Sequence, residues 1–162
     1  MLSLPSRALT AFVTALALTP FFTAQDVDHV AVADEARAFA AHYIATLESR
    51  DEEALRALFV ADDRFAWYTD GALSYASADD VLTGMGAYAG ISFKTALADV
   101  TPVVLSAQHV SLRTRFETTL MIPNTDNFIY SGVITMLLEK RNEAWRVVLG
   151  HTSTPDGPPA RK

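Results

Sequence analysis

Trp145-Arg146-Val147-Val148-Leu149-Gly150-His151-Thr152-Ser153-Thr154-Pro155 decides the reading of the chain. A polar turn, Arg141-Asn142-Glu143-Ala144, leads into it, and the proline at its end cannot continue a sheet. Period-two alternation predicts a strand with Trp145, Val147, Leu149, His151 and Ser153 on one face. A buried last strand that ends in His and Ser predicts the wall and rim of a cavity.

Working back from that strand, three more long strands are predicted: Phe93 to Leu105, His109 to Ile122 and Asn127 to Lys140. Ser106-Ala107-Gln108 and Pro123-Asn124-Thr125-Asp126 separate them. Turns this short join antiparallel neighbours, so the C-terminal part reads as a four-stranded meander. Pro102 predicts a bulge or an edge in the first of these strands.

Before the meander the period is helical. Val32, Ala36, Phe39, Tyr43 and Leu47 form one apolar stripe at spacings of three and four. Ser49-Arg50-Asp51-Glu52 has capping-box form and predicts a second helix near Asp51, with Ala54, Leu55, Leu58 and Phe59 on its apolar face. Asp70-Gly71 between the aromatic-rich arms Phe65 to Thr69 and Ala72 to Ala76 predicts a two-residue hairpin turn. Ser77 with Asp79 and Asp80 starts a third helix carrying Val81, Leu82, Met85 and Tyr88. Gly84, Gly86 and Gly90 each weaken it by about 1 kcal/mol, which predicts a short helix.

Half of the 162 residues are apolar, which is enough for one real core. The net charge of −6 and the scattered Lys and Arg argue against nucleic acid as a partner. Without cysteine, the chain has no disulfides, thiol nucleophiles or thiolate metal sites. His29, His42, His109 and His151 show no ligand spacing, and no Gly-rich phosphate loop is present, so no metal or cofactor is expected. Arg7, the apolar run Ala8 to Leu18, Pro20 and Ala24 have the order of a secretory signal cut after Ala24. Residues 1–24 then belong to the signal, and the product is periplasmic or secreted. Contact with a membrane is expected only if the signal stays uncleaved. Residues 28–154 form the domain, and residues 155–162 are expected to be a disordered tail.

Helices first and strands last predict an α+β fold rather than a parallel α/β sheet. This element order, with the Trp145-to-Ser153 ending and the Asp70-Gly71 hairpin, resembles the nuclear transport factor 2-like superfamily, and the SnoaL-like branch in particular. The resemblance implies a cone-like, cystatin-like architecture: a curved antiparallel sheet wrapped around N-terminal helices. It also implies a pocket between helices and sheet, and frequent homodimerisation through the outer sheet face. It does not imply one reaction.

Within such a pocket, His151 and Asp70 are the candidate acid–base pair, because imidazole titrates near neutrality and Asp70 sits by the mouth. Each has a plainer reading, His151 as a core or interface residue and Asp70 as a turn former. Ser153 stands beside His151 without the setting of a nucleophile. Tyr43, Trp67, Tyr68 and Tyr88 are candidate ligand-binding aromatics. Arg115 alternates with His109, Ser111, Arg113 and Glu117, and is either a solvent-face residue or an anion anchor in the cavity. The expected function is binding of a small apolar or carboxylate-bearing organic ligand. Cofactor-independent proton-transfer chemistry of isomerase, cyclase or dehydratase type would fit such a pocket. The alternative is a non-catalytic association module.

Overall fold

The computed structural model describes residues 27–155. The expected signal segment and residues 156–162 of the expected tail lie outside that range. Helix α1 (His29–Ser49) starts where the Asp28 carboxylate accepts from the amides of Val30 at 3.1 Å and Ala31 at 3.0 Å. Ala36, Phe39, Ala40, Tyr43 and Ile44 are its buried face. Arg50 ends it in the left-handed region at φ 56°, its amide donating to the Thr46 carbonyl.

Helix α2 (Glu52–Ala57) begins where expected, but Asp51 is its cap, accepting from the Ala54 amide at 3.0 Å. Ser49 instead belongs to α1 and donates to the Thr46 carbonyl. The Asp51 side chain, already adjacent to the first turn, takes the role the S-x-x-E pattern assigned to Ser49. Leu58, Phe59 and Val60 follow α2 as fully buried chain. The Val60 amide donates to Val147 at 3.1 Å, and the Val147 amide donates to Leu58 at 2.8 Å.

Strands β1 (Ala66–Thr69) and β2 (Ala72–Tyr75) close on Asp70-Gly71, whose φ values of 50° and 85° are the pair a type I′ turn demands. Helix α3 (Ala78–Gly86) is as short as its glycines predict. Ser77 caps it, accepting from the Asp80 amide, while Asp80 accepts from the Ala76 amide at 2.9 Å. Strands β3 (Ser92–Ser106), β4 (His109–Met121), β5 (Phe128–Arg141) and β6 (Ala144–Ser153) form the meander.

The six strands make one sheet in the order β2-β1-β6-β5-β4-β3. β1 runs parallel to β6, so the sheet is mixed rather than wholly antiparallel. A fold of antiparallel hairpins alone would have left β6 as an edge. The parallel pairing lets the hairpin cover it. Pro102 lies on β3, the edge strand, and a bulge at Asp99-Val100 precedes it.

A second irregularity has larger consequences. Leu138 pairs with Val147 but Leu137 pairs with Leu149, so Val148 is an extra residue in β6. The insertion reverses the inside–outside phase of the strand. Trp145 and Val147 face the core as predicted, but beyond the bulge Val148, Gly150, Thr152 and Thr154 are the inner residues. Leu149, His151 and Ser153 turn to the outer face.

The two ends of the inner face differ. Near the β5–β6 turn, Val110, Leu112, Leu138 and Val147 pack against Leu55, Phe59 and Val60 with almost no exposure. At the other end the Trp67 indole lies flat on the β6 backbone. A Cβ on Gly150 would stand 2.0 Å from Trp67 Cε3, closer than any real contact. Gly150→Ala should therefore lower stability by roughly 1–3 kcal/mol through overpacking, measured by denaturant unfolding. Gly86→Ala, where a Cβ meets nothing within 4 Å, should be neutral or mildly stabilising. Equal effects at the two positions would contradict the close approach of Trp67.

Candidate functional site

Beyond the packed end, α1, α3 and the inner sheet face enclose a cavity of about 410 Å³. This volume is in the range that holds a small organic molecule. The sheet supplies Phe93, Thr95, Phe116, Thr118, Leu120, Tyr130 and Ile134, and the β6 end supplies Thr152 and Thr154. Trp67 and Tyr43 stack at 5.9 Å between ring centroids and 9° between planes, bringing β1 and α1 together. The Trp67 indole N–H donates to Thr152 Oγ1 at 3.2 Å, which fixes the ring across the cavity end.

Polar groups in this wall are hydroxyls and phenols. Among the described residues that line it there is no carboxylate, imidazole, ammonium or guanidinium. Burial pushes the Tyr43 phenol well above its ordinary range, with the neighbouring Tyr75 phenol adding to the shift. Burial also raises Tyr130, and the nearby Tyr88 phenol pushes the same way. Tyr43 and Tyr130 therefore stay protonated, serving as neutral hydrogen-bond donors rather than bases.

Charged groups sit on the rim. Burial pushes the Glu48 carboxyl up, but Lys94 at 2.8 Å and the Thr95 amide at 2.8 Å outweigh it, and the net shift is downward. This clamp ties the end of α1 to β3. Arg50 donates to the Ile91 carbonyl, and its guanidinium lies 5.8 Å from the centroid of the Phe93 ring.

The residues singled out in the sequence divide between the two sheet faces. Tyr43, Trp67 and Tyr88 line the cavity. Tyr68, 38% exposed, alternates with inward Trp67 and so faces outward. His151, Ser153 and Arg115 also lie on the outer face, where the pairings Arg115–Val133–Ser153 and Arg113–Thr135–His151 run across three strands. Any chemistry of theirs belongs to that face. The physical reason is the Val148 bulge for the first two and simple alternation with inward Thr114 and Phe116 for Arg115. Arg115 is paired there with Asp99.

Asp70 has two occupied oxygens. It accepts from the Thr154 amide at 2.7 Å and from Thr154 Oγ1 at 2.8 Å, pinning the end of β6 to the hairpin. Those two bonds, helped by nearby His151, hold its carboxyl below the ordinary value of 3.8.

Thr95, Thr118, Tyr130, Thr152 and Thr154 line the cavity without having been singled out. Threonines alternating along a strand look like ordinary β-formers. The available signal was that Thr114 and Thr118 share the inward face of β4 with Phe116, where apolar residues would be expected throughout.

A second concavity of about 790 Å³ lies outside the cone, between α1, α2 and the β5–β6 turn. It is an open groove whose main polar groups satisfy one another. Glu35 accepts from Lys140 at 2.9 Å and from the Trp145 indole at 2.9 Å, which lowers its carboxyl. Among the described residues no three His, Asp or Glu side chains gather as a metal ion would require.

With this geometry, the sequence matches the model of the SnoaL-like domain over residues 36–157. The chain belongs to the SnoaL-like domain family. A search of the curated proteins found no match to this sequence. Among solved structures, the SnoaL-like chain is similar to a nuclear transport factor 2-like superfamily protein from Salmonella enterica serovar Typhimurium. That match has TM-score 0.66 and 17% identity, covering 82% of this chain and 95% of that one. A candidate scytalone dehydratase from Novosphingobium aromaticivorans gives TM-score 0.67 and 16% identity, covering 82% and 91%. A type 2 hexachlorocyclohexane dehydrochlorinase gives TM-score 0.67 and 13% identity, with the same coverage. At these identities the likeness establishes the nuclear transport factor 2-like, α+β fold.

The Asp70 contact yields a pH prediction for this SnoaL-like domain. A carboxyl with a depressed folded pKa stabilises fully above its ordinary value, and that contribution is lost as pH falls through the lowered value. The Thr154 amide resonance should therefore titrate below pH 3.8, and the titration should vanish in Asp70→Asn. A midpoint at or above 3.8 would refute the contact.

Proposed function

We propose that this domain binds a small, neutral, largely apolar organic molecule in the cavity between α1, α3 and the inner sheet face. The observation that carries this reading is the composition of the wall: aromatic and aliphatic surface with hydroxyl and phenol groups, and no charge among the described lining residues to offset a buried ion. A carboxylate or ammonium taken into such a wall loses its hydration without a partner, at a cost of several kcal/mol. Of the two ligand types suggested by the sequence, the neutral apolar one is favoured. The scytalone dehydratase and dehydrochlorinase likenesses support small-molecule chemistry of elimination or isomerisation type in the same cavity. In this chain the groups able to assist are neutral phenols, which would polarise an oxygen rather than remove a proton.

The outer sheet face supports a second element of the proposal, a homodimer. Val103 is 55% exposed and Leu149 43%, and the two stand in one cross-strand row through Ser111 and Leu137, apolar surface that a second copy would cover. Export to a periplasm or the medium completes the reading, resting on the order of residues 1–24.

Leu120 lines the cavity and Leu149 faces outward, so two variants separate the roles. Native mass spectrometry and calorimetry with neutral bicyclic compounds should give measurable binding in the wild type. Leu120→Trp should weaken it by more than about tenfold by filling the cavity, with the dimer intact. Leu149→Glu should leave binding unchanged while sedimentation shows monomer. Equal binding in Leu120→Trp and the wild type would rule out the cavity as the site. An unchanged oligomer in Leu149→Glu would rule out this dimer face.

A further inference from the structure

Three walls enclose the cavity, and they are not equally firm. The sheet is laddered from β1 to β3, and α1 is a helix of 21 residues clamped to β3 through Glu48. The third wall is α3 with the chain that follows it to Ile91. Its 9 helical residues fall short of the ~12–15 that make a helix stable alone. Gly84 and Gly86 weaken its last turn, and Gly90 holds a φ of 85° just beyond it. Its buried residues, Ala78 and Val81, belong to the first turn. Farther along, Thr83, Gly86, Ala87, Ala89 and Gly90 are exposed. Yet this weak segment brings Met85 and Tyr88 to the cavity wall.

The segment is also tied differently from the other walls. The amides of Ala87, Tyr88, Ala89 and Ile91 donate to carbonyls three or four residues back, from Thr83 to Tyr88. Those bonds run inside the segment, so it can tilt without breaking a sheet ladder. The helix packs on α2 and on the short edge strand β2. Its ion pair with α2, Arg56 to Asp79, has both side chains more than half exposed and is worth little. At the downstream end the tie is firmer. Arg50, fixed in place as the cap of α1, donates to the Ile91 carbonyl and lies against the Phe93 ring. This bond is charge-assisted and part-buried.

Resting on the cavity reading above, we propose that residues 84–91 are a gate on the cavity and that Arg50 is its latch. The glycines at 84, 86 and 90 are the pivots. Release of the Ile91 carbonyl by Arg50 frees the downstream end, and Met85 and Tyr88 swing off the wall to admit or discharge a guest. Arg50 is a positioning residue, since it acts on the gate and is not among the lining residues. Such a device sets rates rather than affinity. A looser latch raises the open population and speeds entry and exit together, and a stiffer pivot slows both.

The test follows quenching of tryptophan fluorescence by 1-nitronaphthalene, a neutral bicyclic compound, in stopped flow and at equilibrium. Arg50→Asn removes the guanidinium and keeps a residue at ease in the left-handed region. It should raise association and dissociation rates each about fivefold and leave Kd within about twofold. Gly86→Ala, where a Cβ meets nothing within 4 Å, should lower both rates about fivefold. Without any guest, relaxation-dispersion NMR should find microsecond-to-millisecond exchange at residues 84–91 and none on the buried face of α1. That exchange should grow in Arg50→Asn and shrink in Gly86→Ala. Circular dichroism checks folding, and Gly86→Ala with the wild-type dispersion decides if Arg50→Asn does not fold. Unchanged rates in the folded variants, a change in Kd without paired changes in the rates, or no exchange in the segment would each overturn the gate and leave the cavity standing. Failure of 1-nitronaphthalene to bind the wild type would overturn the cavity reading, and the gate with it.

Discussion

One inserted residue, Val148, sets the character of the site. Without it, β6 would continue its first alternation and present Leu149, His151 and Ser153 to the interior. With it, the interior receives Gly150, Thr152 and Thr154. Each of the three is used. Gly150 gives the Trp67 ring room to lie on the strand, Thr152 accepts from its indole, and Thr154 is held by Asp70. The bulge sits where the chain after α2 bridges to β6 at Val147, just before β1 takes over as the neighbour. A local kink there lets two separate segments share one edge of the same strand.

The two ends of the inner face then follow from different demands. At the packed end, interdigitated Leu, Val and Phe side chains exclude water and carry the hydrophobic stabilisation. At the open end, rings are held apart by flat contacts on glycine backbone. Tyr75 lies against Gly84 in α3 much as Trp67 lies on Gly150, each so close that a Cβ would collide. Aromatic rings fixed in this way keep their positions when nothing fills the space between them. A cavity survives because its walls are braced from behind, by the Glu48 clamp on β3 and the Asp70 clamp on β6.

Much of this was legible in the sequence. The α1 stripe, the Asp70-Gly71 turn, the Ser77 cap and the meander all rest on short-range rules that the tertiary fold leaves intact. What escaped is what alternation cannot encode. Val147-Val148 reads equally well as part of a regular strand, so the reversal that moved His151 and Ser153 outward left no distinct mark. The parallel partnership of β1 with β6 joins segments far apart in the chain, and no local pattern announces it. Charge drew the eye to Asp70, His151 and Arg115, since titratable groups are the usual instruments of chemistry. Here the described wall is built from Tyr and Thr, types whose β-propensity hides them in any strand.

That choice of groups constrains what the cavity can do. A carboxylate in this wall would be raised in pKa by the same burial that raises Tyr43, and would be a base only if left partly desolvated and unpaired. Phenols avoid that conflict: burial makes them more firmly neutral, and a neutral O–H keeps its donor whether or not a ligand is present. Burial, with the neighbouring Tyr75 and Tyr88 phenols adding to it, raises Tyr43 and Tyr130, so these two keep their donors over a wide pH range. Recognition by fixed neutral donors rewards a ligand oxygen that already has lone pairs to offer and penalises any group that brings a charge. The same preorganisation would favour a developing negative charge on that oxygen more than the neutral ground state. A cavity lined in this way has no general base among its described lining residues, so a proton acceptor for any reaction there would have to come from a guest molecule, from water, or from residues outside the lining.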